Sequence, residues 1–319
     1  MTKKKKLIHI LEFVGFCVAM AAARILPPHS LRAVCRLIGS LYYKISYRRE
    51  IALTNIRNAL GDQLGEAEVR RIALASFHSL LFTAAEMMSS PFRLKGGRVR
   101  NTRYRTDHVE ELFRKAKKIH DESGGCIFVT PHLGNWELLP YVSALIGIPL
   151  AIVMRPLNNP YLDRVIFSGR LASGQMLVPK RKAMFTLVRI LRRGRSIGML
   201  PDQSTGRGLR MKFFGRLATV TPIPAIMAVT YRRPVVVVAA CRTQDPYYFE
   251  GFVSDPIYPV SDASDPRGEQ ADIVSITRQI NERMEEIIRK YPEQYLWMHN
   301  RWKGSNLKQV FEGIGNSRG

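Results

Sequence analysis

Cys126-Ile127-Phe128-Val129-Thr130-Pro131-His132-Leu133-Gly134-Asn135-Trp136-Glu137 decides the fold. It opens with a short apolar β run, breaks at a proline, and passes through a glycine-containing turn towards a helix-like segment from Glu137 to Ile146. The same rhythm continues downstream. Leu150 to Met154 reads as a second strand and Tyr161 to Ala172 as a helix. Met184 to Leu191 reads as helical, Ile197 to Leu200 as a strand, Pro224 to Tyr231 as a helix, and Val235 to Cys241 as a long β-branched strand. Ala271 to Lys290 has the pattern of a long amphipathic helix. Strands alternating with helices predict an α/β fold, a single domain built on a central, mostly parallel sheet flanked by helices. Upstream, residues 30–90 read as helices. Ile51, Leu53, Ile56 and Leu60 keep helical spacing, and Gly61-Asp62 ends that run. Arg93 to Arg105 is basic and glycine-containing and reads as a loop.

Composition sets the outer limits. The 319 residues are 46% hydrophobic and 24% charged, which excludes a disordered, collagen-like or polytopic membrane chain. Forty-nine Lys and Arg against 26 Asp and Glu leave a net charge of +23, a field that attracts anions of any kind. The four cysteines, Cys17, Cys35, Cys126 and Cys241, are scattered, so reduced thiols are expected rather than zinc or disulfides. None of the seven histidines stands close to another, and no metal site or cofactor is expected. One triplet, Arg103-Tyr104-Arg105, interleaves an aromatic with cations. No helix-turn-helix, zinc-finger or RNP signature accompanies it, so nucleic acid is not an expected partner.

The N-terminus is cationic from Lys3 to Lys6 and apolar from Leu7 to Ala23, interrupted by His9 and Glu12. Residues 1–28 fit a cleaved signal peptide, a marginal spanning helix or a monotopic anchor; an ordinary buried first helix is the plain alternative. Arg24, Arg32 and Arg36 follow, so positive charge flanks the apolar run on both sides. That gives no charge asymmetry to drive the chain across a bilayer and suits an anionic cytoplasmic leaflet. The expected organisation is therefore a retained anchor over 1–28, a cytosolic domain over 29–303 and a polar tail over 304–319.

In open α/β sheets, functional groups gather beyond strand C-termini. Three predicted strand ends carry polar clusters: Thr130 to Glu137, Met154-Arg155-Pro156-Leu157-Asn158-Asn159, and Leu200-Pro201-Asp202-Gln203. His132 and Glu137 are five positions apart, which on one helix would leave them roughly 140° apart. They can meet if His132 lies in the turn and Glu137 in the first turn of the next helix. Gly134 permits that turn, and Asn135 is a good N-cap. An imidazole oriented by a carboxylate can deprotonate a hydroxyl. The plainer alternative is a strand-end histidine and a surface glutamate. No G-x-S-x-G nucleophile is present and no cysteine falls in the three loops, so direct transfer to a hydroxyl acceptor fits better than a covalent intermediate. Arg155, Arg170 and Lys180-Arg181-Lys182 are candidates to hold phosphate groups, or else a solvated basic face. Asp202-Gln203 could order a substrate or only a loop.

These blocks resemble the lipid A biosynthesis (lauroyl/myristoyl) acyltransferases, within the wider glycerolipid acyltransferase superfamily. Pro131 to Glu137 is similar to that family's H-x4-D/E block. The resemblance continues through Met154 to Asp163, Leu200 to Gln203, Phe213-Phe214-Gly215-Arg216 and Pro292 to Trp302, so it covers nearly the whole chain. It implies a glycerolipid-acyltransferase-like fold and a cytosol-facing inner-membrane enzyme. It also implies transfer of a fatty acyl chain from an acyl carrier protein thioester to a hydroxyl of a lipid A precursor. His132 would be the general base and Glu137 its orienting partner. Asn135, Arg155, Arg170, Asp202 and Gln203 would contact substrate. The implied partners are acyl carrier protein, an anionic glycolipid and the cytoplasmic leaflet. Three places depart from the family pattern: a short loop after Gln203, Ser204 where an acidic residue is common, and the Thr221 to Ala225 turn. They bear on the acceptor and chain length. Another anionic lipid acceptor, such as a phosphatidylinositol mannoside or lysophospholipid, is the alternative, and a non-catalytic lipid-binding protein a more distant one.

Overall fold

The computed structural model describes residues 3–303 except 90–92, 96–97, 101–106, 149, 155, 173–174, 180–182, 246–247 and 263. Arg155, Lys180-Arg181-Lys182, the Arg103-Tyr104-Arg105 triplet and the tail from 304 onwards therefore lie outside the described residues. The chain opens with four helices, α1 (Lys3–Ile25), α2 (Pro28–Ile45), α3 (Arg48–Leu60) and α4 (Glu66–Ser89). Two three-residue strands, β1 (Arg93–Lys95) and β2 (Arg98–Arg100), pair antiparallel where the sequence predicted only a loop.

The predicted alternation then follows. It comprises α5 (Asp107–Ser123), β3 (Ile127–Val129), α6 (Leu139–Leu145), β4 (Ala151–Met154), α7 (Pro160–Ala172), β5 (Met176–Pro179), α8 (Ala183–Arg192) and β6 (Ile197–Met199). An antiparallel hairpin, β7 (Leu209–Phe213) and β8 (Arg216–Val220), precedes α9 (Ile223–Tyr231), β9 (Val235–Arg242), β10 (Phe249–Val253) and α10 (Pro266–Lys290).

Six strands form one sheet in the order β10-β9-β3-β6-β4-β5, parallel except for the β10 edge. Burial on both faces explains why β9 reads as an unbroken apolar run rather than an alternation. Val235, Val237 and Ala239 pack with residues of α3, α4, α8, α9 and α10 on one side. Val236, Val238 and Ala240 pack with residues of α5 and α6 on the other.

The segment after β3 does not leave the sheet at once. Gly134 bridges to Ala240 of β9, Asn135 N–H donates to the Ala240 carbonyl at 2.8 Å, and Leu133 bridges to Tyr295 of the C-terminal segment. Gly134 has φ +61°, and a Cβ there would stand 2.1 Å from the Ala240 oxygen. Only glycine fits, for both reasons.

α1 rests against α7 through its polar interruptions. Asn159, at the head of α7, donates to the His9 carbonyl at 2.9 Å and to the Glu12 carboxylate at 2.8 Å, and Phe13 stacks near Tyr161. Leu7, Ile8, Leu11, Val14 and Val18 of α1 are exposed, as are Leu37, Ile38, Leu41 and Ile45 of α2. α1 has 23 residues, a length of about 34 Å, and is long and apolar enough to cross a membrane.

Gly134→Ala should destabilise the protein by at least about 2 kcal/mol, since the left-handed conformation alone strains a non-glycine residue by about 1–3 kcal/mol. A thermal melt within error of wild type would contradict the tight approach to β9.

Candidate active site

Two adjacent parallel strands set the site. Val129 of β3 pairs with Met199 of β6, and the Thr130 N–H donates to the Met199 carbonyl at 3.0 Å. His132 and Asp202 each lie three residues beyond that pair, so the two loops leave the sheet side by side. The Asp202 carboxylate accepts from His132 Nδ1 at 2.7 Å and from the His132 backbone N–H at 2.8 Å. A carboxylate only accepts, so Nδ1 carries the proton and Nε2 keeps its lone pair. Nε2 is the outer nitrogen: the Gln203 amide nitrogen lies 3.4 Å from it, and Trp136 packs edge-on against the ring. The imidazole is 16% exposed and Asp202 2%.

Burial pulls the His132 pKa down. The charge and hydrogen bond of Asp202, with the charge of Glu137, outweigh burial and hold it above the ordinary histidine value. Burial pushes the Asp202 carboxyl up, but the His132 charge, its two hydrogen bonds and the Arg301 charge hold it below the usual carboxylate range. At neutral pH Asp202 is an anion that fixes the tautomer and orientation of the ring.

The sequence expectation that Glu137 orients His132 is not what the geometry gives. Glu137 instead accepts from Arg170 Nη2 with both carboxylate oxygens, each at 2.7 Å. The local backbone explains the difference. Trp136-Glu137-Leu138 form a turn and α6 starts only at Leu139, so Glu137 does not stand in a first helical turn facing the imidazole. It faces the end of α7, where Arg170 sits. Glu137 acts on His132 through charge, and Arg170 is engaged by a carboxylate.

Asn135, expected to contact substrate, is buried and occupied at both ends. Its Oδ1 accepts from the Leu138 N–H at 3.1 Å and its Nδ2 donates to Glu86 at 2.9 Å. Of the expected substrate contacts, Asp202 and Gln203 lie at His132, Arg170 lies at Glu137, and Asn135 lies behind the loop.

That rear position belongs to a polar network which sequence reasoning missed. Arg242, the last residue of β9, donates to the Glu86 carboxylate at 2.7–3.0 Å, to Thr83 at 2.6 Å and to Ser79 at 3.2 Å. Thr83 in turn donates to the Gly134 carbonyl at 2.9 Å. Gln294 receives the Arg242 N–H on its side chain and the Gly134 N–H on its carbonyl. Glu86 and Arg242 are both buried. Removing one partner of such a pair strands a charge, at a cost of about 3–5 kcal/mol. The one signal in the sequence was Glu86 itself, the single charged residue in the mostly apolar stretch from Leu80 to Met88 of α4.

The arrangement offers an oriented imidazole whose Nε2 lone pair meets only the long contact from the exposed Gln203 amide, and a nearby cation held by a carboxylate. It suits proton abstraction from a hydroxyl. The buried thiols of Cys126 and Cys241 are pushed up to about 11 and about 12, chiefly by burial, so neither is a poised nucleophile.

The sequence model of the family described as bacterial lipid A biosynthesis acyltransferase matches residues 1–304. "Lipid A biosynthesis acyltransferase 2" of Shigella flexneri is 23% identical over 307 residues, 93% of this chain and 91% of that protein. "Lipid A biosynthesis palmitoleoyltransferase" of Escherichia coli (strain K12) is 25% identical over 270 residues, 83% of this chain and 82% of that protein. Among solved structures, the 1-acyl-sn-glycerophosphate acyltransferase of Thermotoga maritima is 14% identical, with a TM-score of 0.31 over 79% of this chain and 97% of that one. With the family pattern running from the first residue through the β3 and β6 loops to the C-terminal segment that touches both, the chain belongs to the bacterial lipid A biosynthesis acyltransferase family.

Proposed function

We propose that this protein transfers a fatty acyl group from a thioester donor to a hydroxyl of a lipid A precursor, with His132 as general base held by Asp202. The observation that carries the reading is the Asp202–His132 pair at 2.7 Å with Nε2 directed outward, in a chain matched to the family over 1–304. His132 Nε2 takes the acceptor hydroxyl proton as the oxygen attacks the thioester carbonyl. The tetrahedral oxyanion collapses, the C–S bond breaks, and the imidazolium returns the proton to the leaving sulfur. Asp202 stabilises the imidazolium while it lasts. The exposed Gln203 amide beside Nε2 is the nearest neutral donor for the oxyanion. Arg170, paired with Glu137, is a cation within reach of an anionic headgroup.

The donor consistent with the chain's net charge of +23 is the thioester of an acidic acyl carrier protein. The exposed apolar side of α1, with Arg24, Arg32 and Arg36 beyond it, supports a retained anchor in the cytoplasmic leaflet of the inner membrane.

The deciding experiment is mass spectrometry of lipid A from cells with and without the gene, complemented by wild type or His132→Ala. A secondary acyl chain restored by wild type alone is expected. Unchanged lipid A with a change in another lipid class would replace the acceptor, and no change in any lipid would remove the catalytic reading.

In vitro, His132→Ala should lower kcat by about 10²–10⁴-fold, the usual share of a general base; near-normal turnover would refute the assignment. The pH profile carries a sign. The base works unprotonated, so kcat/KM should fall as pH drops through a His132 pKa that lies above the ordinary value of about 6.5. Asp202→Asn removes the larger charge that raises it and leaves burial opposed only by the Glu137 charge, so the acid limb should move to lower pH while kcat falls. Glu137→Gln should move the limb in the same direction by less, because Asp202 supplies the larger effect. A limb that stays put in Asp202→Asn would exclude Asp202 as the partner.

Deleting residues 1–26 should release most of the protein from the membrane pellet into the soluble fraction. Full retention would assign the anchoring to the exposed face of α2 or elsewhere.

A further inference from the structure

Beyond the base and its carboxylate, the two catalytic loops meet a third segment. Gln294 to Trp302 runs beneath them. The His132 carbonyl accepts from the Leu296 N–H at 3.0 Å. On the other side, the Ser204 N–H donates to His299 Nε2 at 3.0 Å, with the Ser204 hydroxyl 3.3 Å from the same nitrogen. Ser204 follows Gln203 directly and lies in the irregular stretch between β6 and β7. His299 is itself well fixed. Its carbonyl accepts from Asn55 of α3 at 2.6 Å, its N–H donates to the Leu296 carbonyl at 3.2 Å, and Arg48 holds the Met298 carbonyl at 3.2 Å.

We propose that His299 is a positioning residue for the base, accepting the Ser204 N–H on a neutral imidazole and thereby fixing the loop that presents Asp202 and Gln203 to His132. The proposal rests on the reading of His132 as the base.

The chemistry of the contact makes it conditional. A backbone N–H only donates, so Nε2 of His299 must be unprotonated and its proton must sit on Nδ1. Protonating Nε2 sets two donors face to face and opens the contact. The groups around it keep the ring neutral. Burial pulls the His299 pKa down first, and the charges of His132, Arg301 and Arg48 pull the same way, against the single upward pull of Asp202. Tyr295, buried beneath Asp202, is held far in its protonated form and adds no charge. Glu137 is turned to Arg170. His132 and His299 therefore titrate in opposite directions from the ordinary value. His132 is protonated first as pH falls, and His299 releases the loop at lower pH.

The test uses the full-length protein in detergent or nanodiscs, with wild type, His299→Ala, His299→Gln and His132→Ala measured together. Hydrogen exchange of the peptide containing Ser204 reads the contact directly. Protection should be lost in His299→Ala and kept in His299→Gln, whose amide oxygen can accept the same N–H. One lost hydrogen bond corresponds to about a tenfold fall in kcat in His299→Ala, with KM little changed, and His299→Gln should recover most of it. Log kcat/KM should fall more steeply than a slope of one over a low-pH window in wild type, adding about a further tenfold loss, and keep a slope of one in His299→Gln.

Unchanged protection in His299→Ala, or lost protection with wild-type kcat, would overturn the proposal. So would equal impairment of both His299 variants with a lowered melting temperature, which would mark a packing role only. An active His132→Ala would instead bring down the base assignment, and the exchange data would still report on the contact.

Discussion

The pairing of Val129 with Met199 is the constraint on which the site depends. A parallel pair keeps its register over every following residue, so equal offsets beyond the strands bring equal positions together. His132 and Asp202 are separated by 70 residues in the chain and by one hydrogen bond in space. A slip of one residue in either strand would turn the facing side chains to the opposite side of the sheet. β3 and β6 are three residues each, too short to hold that register alone. It is held because the Cys126 carbonyl accepts from Ile197 and the Met199 carbonyl from Thr130, one at each end of the pair.

Behind the site, the protein spends buried charge to define shape. Glu86 and Arg242 could have been replaced by well-packed apolar residues at little loss of stability. What such residues could not do is hold Asn135, Thr83 and the carbonyl of Gly134 at fixed positions. The pair joins α4 to the end of β9 and lies against the loop carrying His132. Arg32 of α2 extends the connection by donating to the carbonyls of Thr243 and Gln244, just past Arg242. A helix with an exposed apolar face is thus tied, through successive polar contacts, to the backbone that carries the imidazole.

Much of this was legible in the sequence. The alternating blocks from Cys126 to Cys241 gave the parallel sheet, because strands buried on both faces must be short, apolar and separated by helices. The polar clusters at the ends of β3 and β6 gave the place of the site. Two kinds of information were missing. Edge and hairpin strands were not anticipated: β5 mixes exposed with buried residues, β7 alternates cations with partly buried side chains, and β8 opens on an exposed Arg216 and Leu217, so none has the fully apolar signature used for β3 and β9. The partner of His132 was also missed, since linear proximity favoured Glu137 while strand order favoured Asp202. Nothing in a single sequence states that the fourth strand of the alternation inserts beside the first. The roles of Gln294, Tyr295 and His299 depend on a return of the chain from its far end and carry no local pattern at all.

That return has a consequence in time. Synthesis runs from α1 to Trp302, so the hydrophobic face of α1 emerges first and Gln294 to Arg301 almost last. Until that final stretch has been made and folded beneath the sheet, the loops of His132 and Asp202 lack the floor that joins them. The apolar face of α1 is therefore exposed for burial well before the loops of His132 and Asp202 are joined, and a product truncated before Gln294 would keep the first feature and lack the second.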